Sequence, residues 1–227
     1  MQGVGKMSHN AATEGGAKES ASHTKAPQSS WGEIVSFFKT LAFILALAFG
    51  IRVTMVEPFK IPSGSMIPTL EIGDFILVLK FRYGLRMPFM THSALAWGKP
   101  SRGDVVVFTR PDDPNSPDED DSKINIIKRV VGLPGESVEV RGARVYINGK
   151  ALDEPYARWS EGGKIDGSFG PKTVPSGHVL LLGDNRDNSK DSRFWTDPFL
   201  DERRIKGKAV LIFWSFDSFS RIFTRIR

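Results

Sequence analysis

Two stretches carry groups that can react together. One is Ser63-Gly64-Ser65 within "EPFKIPSGSMIPTL" (57–70); the other is Lys128 within "INIIKRVVGLPGE" (124–136). A serine hydroxyl is a weak nucleophile until a base takes its proton. The chain has four His, of which His9 and His23 fall in a polar N-terminal stretch, His92 in a loop and His178 at the start of an apolar run. Neither His92 nor His178 has a carboxylate partner close by in sequence, so a Ser-His-Asp triad is possible but not favoured. A lysine can also serve as the base, provided it is neutral. Its ordinary pKa of about 10.4 must then fall by roughly three units, which takes about 4 kcal/mol. Desolvation among apolar neighbours supplies such a penalty. Lys128 sits among Ile126, Ile127, Val130 and Val131. Strand alternation sends Lys128 to one face and Arg129 to the other. On this segment alone a second reading stands beside the first: both residues decorate an exposed edge strand.

A third stretch, "LLLGDNRDNSKDSRFW" (180–195), follows an apolar run with a dense polar loop. Its Asp, Asn and Ser side chains can hydrogen-bond their own backbone, and Arg186 and Arg193 can pair with the carboxylates. Calcium is disfavoured there: the Gly is misplaced, no closing Glu follows, and two Arg lie inside the loop.

These groups need elements to hold them. The 227 residues suffice for one substantial domain with appendages, and a 40% hydrophobic fraction with five Trp argues for a true core. Absence of Cys excludes disulfides, Cys-based zinc sites and a thiol nucleophile. The net charge of +5 is spread out rather than gathered into a basic-aromatic module, so nucleic acid is not an expected partner. Residues 1–30 are polar and small, and are expected to be a disordered tail; Met7 is an alternative start. Residues 31–56 are expected to form a transmembrane helix. The uncharged stretch Thr40–Ile51 is short, but Lys39 and Arg52 can snorkel and extend the span to Ile34–Val56. A buried helix of a soluble domain is the competing reading, and flanking charges leave the orientation open.

Beyond Val56 the pattern is mostly β, an antiparallel-sheet domain over 57–227 with long loops and one N-terminal transmembrane helix before it. Apolar runs at Asp74–Phe81, Asp104–Arg110, Ile124–Leu133, Ser137–Gly149, Gly177–Gly183 and Gly207–Phe216 read as strands. Gly142 and Asn148-Gly149 mark tight hairpin turns. The acidic "PDDPNSPDEDDSK" (Pro111–Lys123) reads as a solvated excursion between strands. In the C-terminal "FDSFSRIFTRIR", Phe219, Ile222, Phe223 and Ile226 recur at helical spacing, which suggests a short amphipathic helix on a membrane surface or on the domain.

Four segments, "PSGSMIPTL", "RGDVVVF", "IKRVVGLPGE" and "GDNRDNSKDSR", closely resemble the motif boxes of bacterial type I signal peptidase, in the family's order and over roughly Glu57–Trp214. The resemblance implies a membrane-bound serine endopeptidase with a Ser/Lys catalytic dyad that removes N-terminal signal peptides from exported preproteins. By position Ser65 is the nucleophile and Lys128 the general base. Ser63 joins the Ser65 backbone N–H in the oxyanion hole, and Ser189 orients the lysine. Asp191 and Arg193 form a bracing ion pair, and Asp184 and Arg129 are supporting. Phe59, Ile61, Met66, Leu70, Ile76, Val107 and Ile127 line pockets that admit small residues before the cut. No cofactor or metal is implied. Expected partners are signal peptides of secretory preproteins, membrane lipid and the export translocase. The implied location is the bacterial inner membrane, single-pass, with a cytoplasmic N-terminus and the catalytic domain on the far side. Ile126 departs from the family's Tyr, and Lys190 stands where some relatives carry Ala. Ala94-Leu95-Ala96 offers a site for self-cleavage after Ala96.

Three other classes compete. A self-cleaving repressor-type protein would need a DNA-binding module ahead of the β domain, and residues 1–56 do not read as one. An inert membrane-anchored binding domain would be free to lose Ser65, Lys128 or Ser189. A Ser-His hydrolase would depend on His178.

Overall fold

A computed structural model describes residues 30–85, 95–109, 124–159 and 168–227. The N-terminal polar stretch, His92, Ala94 and the acidic insertion lie outside these residues. The chain divides into two compact units, with the division between Ile44 and Leu45.

Helix α1 spans Ser30–Thr54. Its Ala and Leu residues favour a helix, and Glu33 in its first turn suits the positive end of the helix dipole. Its stretch Trp31–Gly50 is 20 residues long with a mean hydropathy of 1.8, long and apolar enough to cross a bilayer. Phe37, Phe43, Leu45 and Phe49 are all more than 60% exposed. A helix that is apolar all round suits lipid rather than water.

The β domain follows at once. Its strands in chain order are β1 Val56–Lys60, β2 Asp74–Leu79, β3 Gly84–Leu85, β4 Leu95–Ala96, β5 Val105–Thr109, β6 Asn125–Gly132 and β7 Ser137–Arg141. After these come β8 Arg144–Ile147, β9 Lys150–Ala151, β10 Phe169–Thr173, β11 His178–Leu182, β12 Leu200–Asp201, β13 Ile205–Ser215 and β14 Thr224–Arg225. An eight-stranded sheet runs β1-β2-β13-β5-β6-β11-β12, with β14 also paired to β13. A four-stranded sheet runs β10-β7-β8-β9, and β3 pairs with β4. The pairings among these described strands are all antiparallel. The mostly-β expectation is therefore met.

Strand composition explains the layering. In β2, residues alternate between buried and half-buried positions, the mark of a strand with one covered face. In β5 every residue is buried. Val105 and Val107 join a core with Ile61, Met66, Leu70, Ile76, Val78 and Ile212. Val106 and Phe108 join another with Tyr83, Val130, Val179, Leu181 and Leu200. A strand covered on both faces reads as an unbroken apolar run, as "VVVF" does. Each such Val or Ile contributes about 1.5–3 kcal/mol by leaving water. The four-stranded sheet closes a third cluster through Val138, Val140, Val145, Val174 and Leu180. Its hairpin turns fall where the sequence marks them, with Gly142, Asn148 and Gly149 all at positive φ. Ala143 shares that conformation, so the β7–β8 turn has two successive left-handed residues.

Two expectations change. The C-terminal segment is not an amphipathic helix: a single 3-10 turn at Phe219–Arg221 leads into β14. Phe223 N–H donates to Ile212 O at 2.7 Å and Ile226 N–H to Val210 O at 3.0 Å. Here backbone pairing with β13 outweighs a helical spacing too short to be stable alone. Ile226 is buried in the core, whereas Phe219 and Phe223 are exposed. Second, β6 is no edge strand. It lies between β5 and β11, so Lys128 and Arg129 both leave an interior strand.

Candidate active site

Ser65 lies in a 3-10 turn, Gly64–Met66, between Ile61 and Leu70, both anchored in the core. Lys128 comes from the middle of β6. Its Nζ donates to Ser65 Oγ at 2.7 Å, and both residues are buried, at 3% and 8% exposure. Burial pulls the Lys128 ammonium down from 10.5 to about 8, against the opposing pull of Asp191 and Asp184. The two residues that chemistry would pair are thus in contact across 63 positions of sequence.

The polar loop after β11 holds this contact from behind. Asn185 N–H donates to Ser65 O at 3.1 Å, and Asn185 Nδ2 donates to Gly64 O at 3.0 Å. The sequence gives Asn185 a local role alone, since its type suggests bonding within its own turn. Gly183 is required by close approach: a Cβ there would lie 2.2 Å from Ser189 Oγ and 2.6 Å from Ser65 O. Ser189 is therefore within the site and buried, but among the described residues its Oγ has no hydrogen-bond partner, and the bond to Lys128 implied by the resemblance is not formed. Lys128 instead points its ammonium at Ser65. Ser63 is exposed, with an extended backbone at φ −136° and ψ 156°. Lys190 is exposed.

Buried ion pairs surround the loop. Arg129 makes a two-pronged contact with Asp184 at 2.8 and 2.7 Å, and also donates to Gly103 O, Arg227 O and Thr69 Oγ1. Thr69 Oγ1 in turn donates to Asp184 at 2.5 Å. Arg193 pairs with Asp191 at 2.8 and 2.9 Å, while Gly183 N–H donates to the same carboxylate. Arg186 reaches outside the loop to Glu154, at 2.9 and 2.5 Å. Buried pairs of this kind add little net stability, but breaking one leaves an uncompensated charge.

An apolar cleft of about 250 Å³, open to solvent, is lined by residues close in sequence to Ser65 and Lys128. It is lined by Phe59, Lys60, Ile61 and Pro62, by Asn125, Ile126 and Ile127, and by Ile76 and Val107. Five of the seven expected pocket residues line it. Met66 and Leu70 do not: both are fully buried, packed in the core beneath the serine turn. Ile126 does line it. Among the described residues, no group of three His, Asp or Glu is arranged to hold a metal. His178 directs Nδ1 to Ser176 O at 3.0 Å.

A buried serine touching a buried lysine, on an antiparallel scaffold beside an apolar cleft, suits hydrolytic acyl transfer. Comparison with known proteins agrees in class. The family described as "Signal peptidase, peptidase S26" matches residues 34–214. Signal peptidase I of Pseudomonas aeruginosa is 40% identical over 219 residues, covering 80% of this chain and 71% of that protein. Signal peptidase I of Leptolyngbya laminosa is 38% identical, covering 87% and 86% respectively. A solved signal peptidase I from Enterococcus faecalis V583 aligns at 31% identity over 50% of this chain and 98% of its own, with a TM-score of 0.37. The chain belongs to the signal peptidase family, peptidase S26.

Proposed function

We propose that this protein is a membrane-anchored endopeptidase that removes signal peptides from exported preproteins with Ser65 as nucleophile and Lys128 as general base. The observation that carries the reading is the 2.7 Å contact between Lys128 Nζ and Ser65 Oγ in a buried setting. With the lysine neutral, Nζ accepts the Ser65 proton as Oγ attacks the scissile carbonyl carbon. The Ser65 N–H and the Ser63 hydroxyl donate to the oxyanion, a contribution of a few kcal/mol. Lys128 then passes its proton to the leaving amine, which frees the mature protein and leaves the signal peptide as an acyl ester. Water, deprotonated by the same lysine, hydrolyses that ester. The Arg129–Asp184 and Arg193–Asp191 pairs hold the geometry, and Ser189 packs against Gly183 beside the Ser65 carbonyl. Small residues before the cut fit the cleft at Phe59, Ile61, Ile76, Val107 and Ile127.

Residues 31–56 serve as the anchor and 57–227 as the catalytic domain, with the N-terminus cytoplasmic and the domain on the far side of the inner membrane. An active site just beyond the span meets a scissile bond at the bilayer surface. Lipid and the export translocase are the partners this arrangement calls for.

The test is cleavage of a purified preprotein in detergent across pH by wild type, Ser65→Ala, Lys128→Ala and His178→Ala. Ser65→Ala and Lys128→Ala are expected to lose activity by a factor of about 10² or more. His178→Ala retains it. In wild type the rate rises through an apparent pKa near that of Lys128, about 8. Full activity in Lys128→Ala would place the base elsewhere.

A further inference from the structure

The segment Glu154-Pro155-Tyr156-Ala157-Arg158-Trp159 lies between β9 and β10, outside every motif box. None of its side chains has a hydrogen bond to Ser65 or Lys128 among the described contacts. Its contacts go instead to the three arginines that hold the catalytic loop. Glu154 takes both Arg186 nitrogens on its carboxylate. Tyr156 covers the Arg129 guanidinium with its ring, 3.9 Å from the ring centre, and donates its hydroxyl to Glu154 at 3.2 Å. Trp159 faces Arg186 and Arg193 at 5.6 and 5.8 Å. The backbone joins too: Arg158 N–H donates to Asp184 O at 2.7 Å, and Arg186 N–H donates to Arg158 O at 2.9 Å. These two bonds bracket Asn185, the residue that grips the carbonyls of Gly64 and Ser65.

We propose that Glu154, Tyr156 and Trp159 are positioning residues for the peptidase reaction, acting through Arg186, Arg129 and Arg193 to hold the 183–193 loop against the serine turn. The proposal rests on the Ser65/Lys128 reading. Three guanidinium groups gathered around one loop repel one another unless each has a counter-charge. Arg129 and Arg193 have Asp184 and Asp191 within the loop. Among the described residues, the carboxylate paired with Arg186 is Glu154, from this segment. Flat aromatic faces over the planar guanidinium groups leave each arginine one orientation, which a flexible aliphatic cover would not. A loop so fixed keeps Asn185, and through it Ser65, in register with Lys128.

The experiment uses the full chain in detergent and a synthetic peptide spanning a signal-peptide junction. Kinetics are normalised to folded enzyme by titrating the reactive serine with an acylating reagent, and thermal midpoints are recorded in parallel. Glu154→Gln and Tyr156→Leu are expected to lower kcat about tenfold or more with KM within about twofold, because misplacement of reacting groups costs rate rather than binding. Tyr156→Phe keeps the ring and recovers most of the loss seen in Tyr156→Leu. Should Glu154→Gln fail to fold, the Tyr156 pair carries the test alone. Wild-type kcat per titrated site in Tyr156→Leu, or equal losses in Tyr156→Leu and Tyr156→Phe, overturns the proposal. Lys128→Ala, run alongside, separates the two readings: if it is inactive while Tyr156→Leu is normal, only the positioning role falls.

Discussion

Lys128 is held where its charge is costly. The ammonium is buried at 3% exposure, and its pKa falls to about 8 in the folded protein against an ordinary 10.5. Between those two values the unfolded chain binds the proton and the folded chain does not, so stability rises with pH across that window. Below about 8 both states are protonated, and the folded state bears the whole penalty, about 3 kcal/mol. Replacing Lys128 with Met is therefore expected to stabilise the folded protein near pH 7 by up to that amount, while activity is lost. The gain over wild type should shrink as pH climbs from 8 to 10.5. Chemical denaturation in detergent at several pH values checks this; parallel stability profiles for the two proteins would contradict it. A destabilised lysine is what a general base near neutral pH requires.

Among the elements, the serine turn and the 183–193 loop behave as one unit. Gly183 has no positive φ, so its need for glycine comes from space alone: a Cβ would meet Ser189 Oγ, Ser189 Cβ and the Ser65 carbonyl, all under 3 Å. Gly183→Ala is expected to push the loop from the turn and lower kcat by about 10²-fold. The thermal midpoint should fall only modestly, because β11 and its core contacts end one residue earlier, at Leu182. Steady-state kinetics beside a melting curve check this. A variant that melts far earlier yet keeps wild-type kcat when folded would show that the contact is structural only. Arg129 ties the loop to distant chain: one guanidinium bonds Asp184, Thr69, Gly103 O and Arg227 O. A second brace runs from Arg221 to Asp74, Glu71 and Thr69 O, just downstream of the serine turn. Burial pushes the Asp74 carboxyl up, but its bonds to Arg221 and the Glu71 N–H outweigh that and hold it below the usual range.

At the scale of the molecule, an apolar helix precedes a β domain that has its own cores. Strand β1 begins two residues after α1 ends, and Lys80 N–H bonds Met55 O, so the domain's hydrogen bonding starts at the helix exit. Deleting residues 1–54 should leave a folded domain that cleaves a soluble peptide with kcat near wild type. It should lose the enzyme from the membrane pellet and slow cleavage of a preprotein presented in vesicles. Fractionation with both assays checks this. An insoluble or inactive fragment would mean that the helix contributes to the catalytic fold itself.

The sequence by itself determined the class of elements and offered a candidate pair of groups. Uninterrupted apolar runs, hairpin glycines and a helix with a 20-residue apolar stretch are local signals, legible because hydrogen-bond geometry and burial act over short spans. Residue type narrowed the candidates to Ser63, Ser65 and Lys128, because few side chains can attack a carbonyl or be neutralised by apolar neighbours, and the motif resemblance is what singled out Ser65 with Lys128. The tertiary structure alone decided which strands lie inside. It put β6 at the centre, removing the edge-strand reading of Lys128, and drew the C-terminal segment into β14. It also revealed Asn185, Thr69 and the Glu154–Trp159 segment, and it packed Met66 and Leu70 into one core with the cleft-lining Ile61 and Ile76. These depend on contacts across scores of residues, where neither spacing nor side-chain type carries a signal. A buried arginine takes whichever carboxylate the fold brings to it, and only the packed sheet fixes which one that is.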